Sequence, residues 1–143
     1  MIAKNKSITL NTRLSKEPQQ VFADLSLIER VMQNLIDNAL KFTPSGGNIV
    51  IQTSKAERGI KVSVSDTGIG ISEEDTQHLF ERFFRAKNAT NIQGTGLGLH
   101  IVAKYLELMN GSIEMKSVIN VGSEFTIHIP QTNNGINEKN IGN

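Results

Sequence analysis

Residues 59 to 71 read GIKVSVSDTGIGI, and the parity of this run decides where its carboxylate points. Ile60, Val62 and Val64 alternate with Lys61, Ser63 and Ser65, the period-two pattern of a strand with one buried face. By that parity the next residue on the apolar side is Asp66, so the strand aims a carboxylate at the face that builds the core. The Asp-Thr-Gly that closes the run also suits the start of a turn, and the segment alone leaves both readings open.

Working outward, other runs share the period. NIVIQTS from Asn48, SIEMKS from Ser112 and SEFTIHIP from Ser123 alternate as strands, as does SITLNT from Ser7, and VFADL from Val21 is a further short apolar run of strand type. This makes about six strands. Between Ser26 and Phe42 the apolar residues Ile28, Val31, Met32, Leu35, Ile36 and Ala39 recur at helical spacing until Thr43, Pro44 and the pair Gly46, Gly47 stop the pattern. Ser72, with Asp75 three residues later, resembles a capping box and begins a second helix expected to run through ISEEDTQHLFERFF, closed by Phe80, Phe83 and Phe84, which are read as core and hinge packing. A third helix spans about Leu97 to Met109 and ends at Asn110 and Gly111. It is apolar except for a stripe of His100, Lys104 and Glu107, and is expected to be largely buried. The expected fold class is α+β: a two-layer α/β sandwich with a mixed, mostly antiparallel sheet and about three helices on one face.

The chain has 143 residues, 38% of them hydrophobic, enough for one core and too few for two. We read a folded domain over 1–130 and a disordered polar tail over 131–143, the Asn-rich QTNNGINEKNIGN. Fifteen basic and fourteen acidic residues leave a formal charge of +1, which gives no footprint for nucleic acid or an acidic membrane surface. Cysteine is absent, so thiolate metal sites and disulfides are excluded. No apolar run has the length of a membrane span, and MIAKNKSITL lacks a signal-peptide core. The three histidines, His78, His100 and His128, have no spacing that suggests a metal site.

Chemistry can be placed at four points. With Ile28 set at zero and about 100° per residue, the apolar residues of the first helix centre near about 20°, and Asn34, Asn38 and Lys41 share a flank between about 220° and about 280°. A solvated helix side explains this. Equally, an amide oxygen is a hard ligand suited to Mg²⁺, and a neighbouring lysine can neutralise phosphate oxygens. Asp66 in an apolar pocket needs donors to offset its desolvation, and the exocyclic amine of adenine is one. Gly68 and Gly70 then lack side chains where a flat base approaches the backbone. Residues 85 to 95 are polar, patternless and glycine-ended, as in a mobile lid from which Arg85 and Lys87 could reach phosphates. In GTGLGL, residues 94 to 99, the backbone N–H groups around Gly94, Gly96 and Gly98 lie at the positive end of the third helix and can bind phosphate; a tight turn fits the spacing too. There is no Walker-type lysine loop, HExxH or nucleophile elbow.

Taken in order, these segments resemble the boxes of sensor histidine kinases. NLIDNALKFTP (34 to 44) looks like the N box, DTGIGI (66 to 71) the first glycine box, LFERFFR (79 to 85) the F box and GTGLGL (94 to 99) the second glycine box, while GSIEMKSVINVGSEFTIHIP resembles the closing strand pair. The resemblance covers about Ser7 to Pro130. It implies the Bergerat ATP-binding fold with ATP and Mg²⁺ as cofactors: Asn38 as the Mg²⁺ ligand, Asn34 and Lys41 as phosphate or metal-shell contacts, Asp66 as the adenine reader. It also implies Gly68, Gly70, Ile71, Gly94, Thr95, Gly96, Leu97 and Gly98 as nucleotide-binding positions, with Asn38, Lys41 and Arg85 as the catalytic set. Gln93, where many members have glycine, and His100, where a small residue is usual, depart from the pattern.

The resemblance further implies ATP-dependent transfer of a phosphoryl group to a histidine on a separate dimerisation hairpin, with a response regulator as indirect partner. No H-E/D-x-x-x-P-like segment precedes Ser7, so the chain is expected to be a catalytic half, monomeric when isolated, on the cytoplasmic side of any membrane-bound parent and without membrane contact of its own. Three alternatives share the fold: an anti-sigma-type serine kinase, a conformational ATPase clamp, and a nucleotide-binding module without transfer. The first two usually place a glutamate four residues before the metal-binding asparagine. Here that residue is Asn34, and an amide cannot serve as a general base.

Overall fold

In a computed structural model of the protein, residues 7–14, 24–89 and 98–130 are described. Five strands form one sheet in the order β1-β2-β3-β5-β4: β1 (Thr9–Arg13), β2 (Asn48–Ala56), β3 (Gly59–Asp66), β4 (Ser112–Val118) and β5 (Gly122–Pro130). β1 runs parallel to β2, and every other pairing is antiparallel. The helices are α1 (Leu25–Phe42), α2 (Glu73–Thr76) and α3 (Gly98–Leu108), with a 3₁₀ turn at Lys87–Ala89.

α1 begins where Asp24 caps it, its carboxylate accepting from Ser26 N at 2.8 Å and Leu27 N at 3.4 Å. It ends at Thr43, which takes an extended conformation ahead of Pro44. Its buried stripe of Val31, Leu35 and Ala39 meets Val102 and Leu106 of α3 and the apolar face of the sheet. Burial of each large aliphatic side chain in that seam contributes about 1.5–3 kcal/mol.

The sheet register arranges its inner face in rows. Ile51, Val64, Phe125 and Met115 form one row. Toward one end the matching row is Ile49, Asp66, Ser123 and Ser117. Asp66 thus lies on the core face, as the parity required, in the row where the sheet turns polar.

Several expectations need correction. Five strands are found among the described residues. Of the VFADL run, Val21–Ala23 lie outside those residues, Asp24 is a helix cap and Leu25 opens α1. The second helix stops after four residues. Beyond it a series of turns (His78 N to Asp75 O, Glu81 N to His78 O, Phe84 N to Glu81 O) carries the chain through the F box. Ser72 Oγ does accept from Asp75 N at 3.1 Å, but the Asp75 carboxylate, instead of closing the box, accepts from Lys87 N at 2.9 Å. That tertiary bond draws residues 76–86 back on themselves, and local helix period yields to it. Phe83, expected in the core, is 60% exposed with φ of 65° and has the Arg82 guanidinium 5.0 Å from its ring centre; Phe80 and Phe84 do pack on the core. α3 is buried only along Val102 and Leu106, and Leu108 is 70% exposed. It packs on α1 and on β4, an edge strand, so the sheet covers one side only.

Candidate functional site

A cavity of about 350 Å³ opens between α1, the start of α3, the loop after β3 and the turn at 84–89. Asn34, Asn38, Lys41, Asp66, Gly70, Ile71, Arg85 and Gly98 all line it, so residues from four sequence segments share one wall. Gly68 does not line it. Gly94, Thr95, Gly96 and Leu97 lie outside the described residues.

Asp66 sits at one end. Its Oδ1 accepts from Gly68 N at 2.8 Å and Ser123 N at 3.2 Å. Burial pushes its carboxyl above the ordinary aspartate value, and these two N–H donors oppose the shift. Ser123, which also lines the cavity, shares a hydrogen bond with Ser117 at 2.7 Å.

The glycine loop beneath Asp66 is held on every side. Ile69 N donates to Phe42 O at 3.0 Å, Asn120 N to Ile69 O at 2.7 Å, and Ile71 N to Ser117 Oγ at 2.8 Å. A Cβ on Gly68 would lie 2.4 Å from the Phe42 carbonyl oxygen. The chain's own packing therefore demands glycine here, apart from any need of a ligand.

At the other end the amides of α1 face α3. Asn34 Nδ2 donates to Arg30 O at 3.0 Å, which leaves its Oδ1 turned to the cavity. A Cβ on Gly98 would lie 3.6 Å from Asn34 Oδ1 and 3.8 Å from Asn38 Oδ1. Two hard oxygen ligands thus converge on the N-terminus of an eleven-residue helix across a space that a side chain would fill. This donor set fits Mg²⁺, which favours oxygen and tolerates few protein ligands.

The lid expected over 85–95 has an anchored root. Residues 87–89 form the 3₁₀ turn, Ala86 and Ala89 are buried, and the Arg85 guanidinium donates to Ala89 O at 3.0 Å. Asn88 Nδ2 donates to Gly70 O at 2.8 Å and lies 3.4 Å from Ile69 O, tying this turn to the glycine loop. Sequence reading missed Asn88, Asp75, Ser123 and Asp37, another lining residue. For Asp37 a weak signal was present, since at about 100° per residue it falls near about 180°, just beside the flank of Asn34, Asn38 and Lys41; for the others only tertiary contacts reveal the role. Asp75→Ala is expected to cost about 1–3 kcal/mol in urea unfolding, because the Lys87 N–H loses its buried acceptor, whereas Asp75→Asn keeps an acceptor oxygen and most of the stability.

The histidines lie apart from this wall. His78 bonds Glu81 at 2.8 Å, which raises its pKa, and His100 Nδ1 lies 3.2 Å from Phe80 O. Among the described residues no group of three or more His, Cys, Asp or Glu is placed to hold a metal, and no helix is long and apolar enough to cross a membrane.

A helix-and-sheet sandwich with this cavity matches a known family. Residues 23–133 match the model described as histidine kinase-, DNA gyrase B- and HSP90-like ATPase, and the chain belongs to that family. It is 39% identical over 130 residues to the adaptive-response sensory kinase SasA of Rippkaea orientalis, an alignment that takes in 90% of this chain and 33% of the relative. Among solved structures it resembles the mycobacterial sensor histidine kinase MprB, with a TM-score of 0.81, 28% identity and coverage of 92% and 90% of the two chains. It also resembles full-length ShkA in complex with AMPPNP, with a TM-score of 0.78, 28% identity and coverage of 90% of this chain and 27% of that one. The chain therefore spans about a third of the SasA length and corresponds to the ATP-binding catalytic domain of sensor histidine kinases.

Proposed function

We propose that the chain binds Mg-ATP in this cavity and donates the γ-phosphoryl group to a histidine on a separate dimerisation hairpin, in a two-component pathway that ends on a response regulator. The observation that carries the reading is the placement of Asp66 at one end of the cavity and of Asn34, Asn38 and Gly98 at the other. Asp66 would accept from the adenine amine. The α3 N-terminus, Lys41 and Arg85, with Gly94 and Gly96, would meet the phosphates. Asn38, with Asn34 beside it, would hold Mg²⁺, which when bound neutralises and orients phosphate oxygens.

Catalysis on this reading is positioning and charge stabilisation. An acceptor imidazole nitrogen forms a bond to the γ-phosphorus as the bridging bond to ADP breaks, and the base for the imidazole proton belongs to the hairpin. Asn34 stands where a serine kinase or ATPase clamp of this fold would carry its glutamate base, and its amide, already donating to Arg30 O, offers none. The reaction belongs on the cytoplasmic side, where ATP is supplied.

Labelled ATP incubated with the chain and a sensor-kinase hairpin should label the hairpin histidine in an acid-labile bond, and label nothing when the chain is alone. Label on serine of an added protein would overturn the reading. Gly98→Ala should leave the melting temperature unchanged or higher, since alanine is the better helix residue by up to about 1 kcal/mol. Its methyl should nonetheless weaken Mg-ADP binding about tenfold, read by calorimetry.

A further inference from the structure

Along α1, Asn34, Asp37, Asn38 and Lys41 follow one another at i, i+3, i+4 and i+7 and all line the cavity. This spacing puts them on one helix face. Asp37 is half-buried, and no hydrogen bond or ion pair among the described residues engages its carboxylate. The stripe therefore holds two neutral amides, one ammonium and one carboxylate, with no net charge to offer a polyphosphate. An unengaged carboxylate facing bound phosphates is costly unless a cation stands between them, since unit charges a few ångströms apart near a protein surface alter a binding constant about tenfold or more.

Resting on the Mg-ATP reading, we propose that Asp37 makes nucleotide binding conditional on the divalent cation. Its carboxylate repels a bare di- or triphosphate and is compensated when the cation accompanies the nucleotide. Metal and nucleotide are then linked reciprocally: whatever factor the cation contributes to nucleotide affinity, the nucleotide returns to cation affinity. Asp37 sets the size of that factor, while the amides of Asn34 and Asn38 provide the oxygens.

The test is calorimetric titration of ADP into the wild-type chain, Asp37→Asn and Asp37→Glu, each in MgCl₂ and in EDTA. Asp37→Asn should bind ADP in EDTA about tenfold more tightly than the wild type while its affinity in MgCl₂ changes less, so that the ratio between the two conditions falls by about tenfold. Asp37→Glu, which keeps the charge, should hold the ratio within about threefold of wild type. Melting temperatures of the unliganded variants, expected to match the wild type, show that all three are folded. A ratio in Asp37→Asn equal to that of the wild type overturns the role of Asp37 while leaving the Mg-ATP reading intact. Absence of ADP binding by the wild-type chain in MgCl₂ overturns both.

Discussion

Asp66→Asn is expected to weaken Mg-ADP binding between about tenfold and about a hundredfold, the loss of one charge-assisted hydrogen bond of about 1.5–3 kcal/mol, with no loss of stability in the unliganded chain. The two halves of this result have one structural cause. Gly68 N and Ser123 N both donate to Asp66 Oδ1, so an asparagine there must keep its carbonyl oxygen toward them. Its amino group is then turned to the cavity, where it would meet the adenine amine donor to donor. Flipping the amide would instead set it against two backbone N–H groups. For stability, burial holds the folded-state carboxyl above its ordinary value. The charged form therefore costs stability at neutral pH, and that cost fades as pH falls through the folded-state value. Asparagine removes it at every pH. Calorimetry with Mg-ADP and thermal unfolding without ligand check the two halves. The same shift predicts that wild-type affinity declines on acidification more steeply than that of Asp66→Asn, since protonation removes the acceptor only in the former.

Gly70→Ala is expected to damage the fold severely. Gly70 has φ of 69°, a left-handed conformation that costs an L-residue about 1–2 kcal/mol. A Cβ there would also lie 2.0 Å from the Val118 carbonyl oxygen and 2.9 Å from Ile119 Cα. The β4–β5 turn must move to admit it, and the bond from Asn120 N to Ile69 O is lost with the movement. Together these give a destabilisation of about 2–4 kcal/mol and a fall in melting temperature of roughly 10 °C. Gly46→Ala is the matched control. It shares a positive φ, 91°, but no atom lies within 4 Å of its Cβ position, so only the conformational part, about 1 kcal/mol, is expected.

Much of this site was legible because it is written in short-range periods. Strand parity aimed Asp66 inward before any fold was known, and helix phase gathered Asn34, Asn38 and Lys41 on one flank. The rest depends on contacts that no period encodes. Asp75 looked like half of a capping box, yet its carboxylate serves Lys87, twelve residues away. The helix pattern through the F box failed for the same reason, and Phe83 emerged at the surface. Gly68 and Gly70 suit clearance for a base in the sequence, whereas the carbonyl groups of Phe42 and Val118 already require them to be glycine. Asn88 carried no signal at all: an asparagine in a polar stretch reveals its bonds to the glycine loop only when the chain is folded.

The central claim is that one nucleotide spans the cavity from Asp66 to the start of α3. Its most direct test is a map of backbone amide shifts in ¹⁵N-labelled protein titrated with Mg-ADP. The largest changes are expected at Gly68, Gly70 and Ser123 at one end and at Gly98 and Leu99 at the other, saturating together at one affinity. Shifts confined to one end, or centred on the His100, Lys104 and Glu107 side of α3, would contradict it.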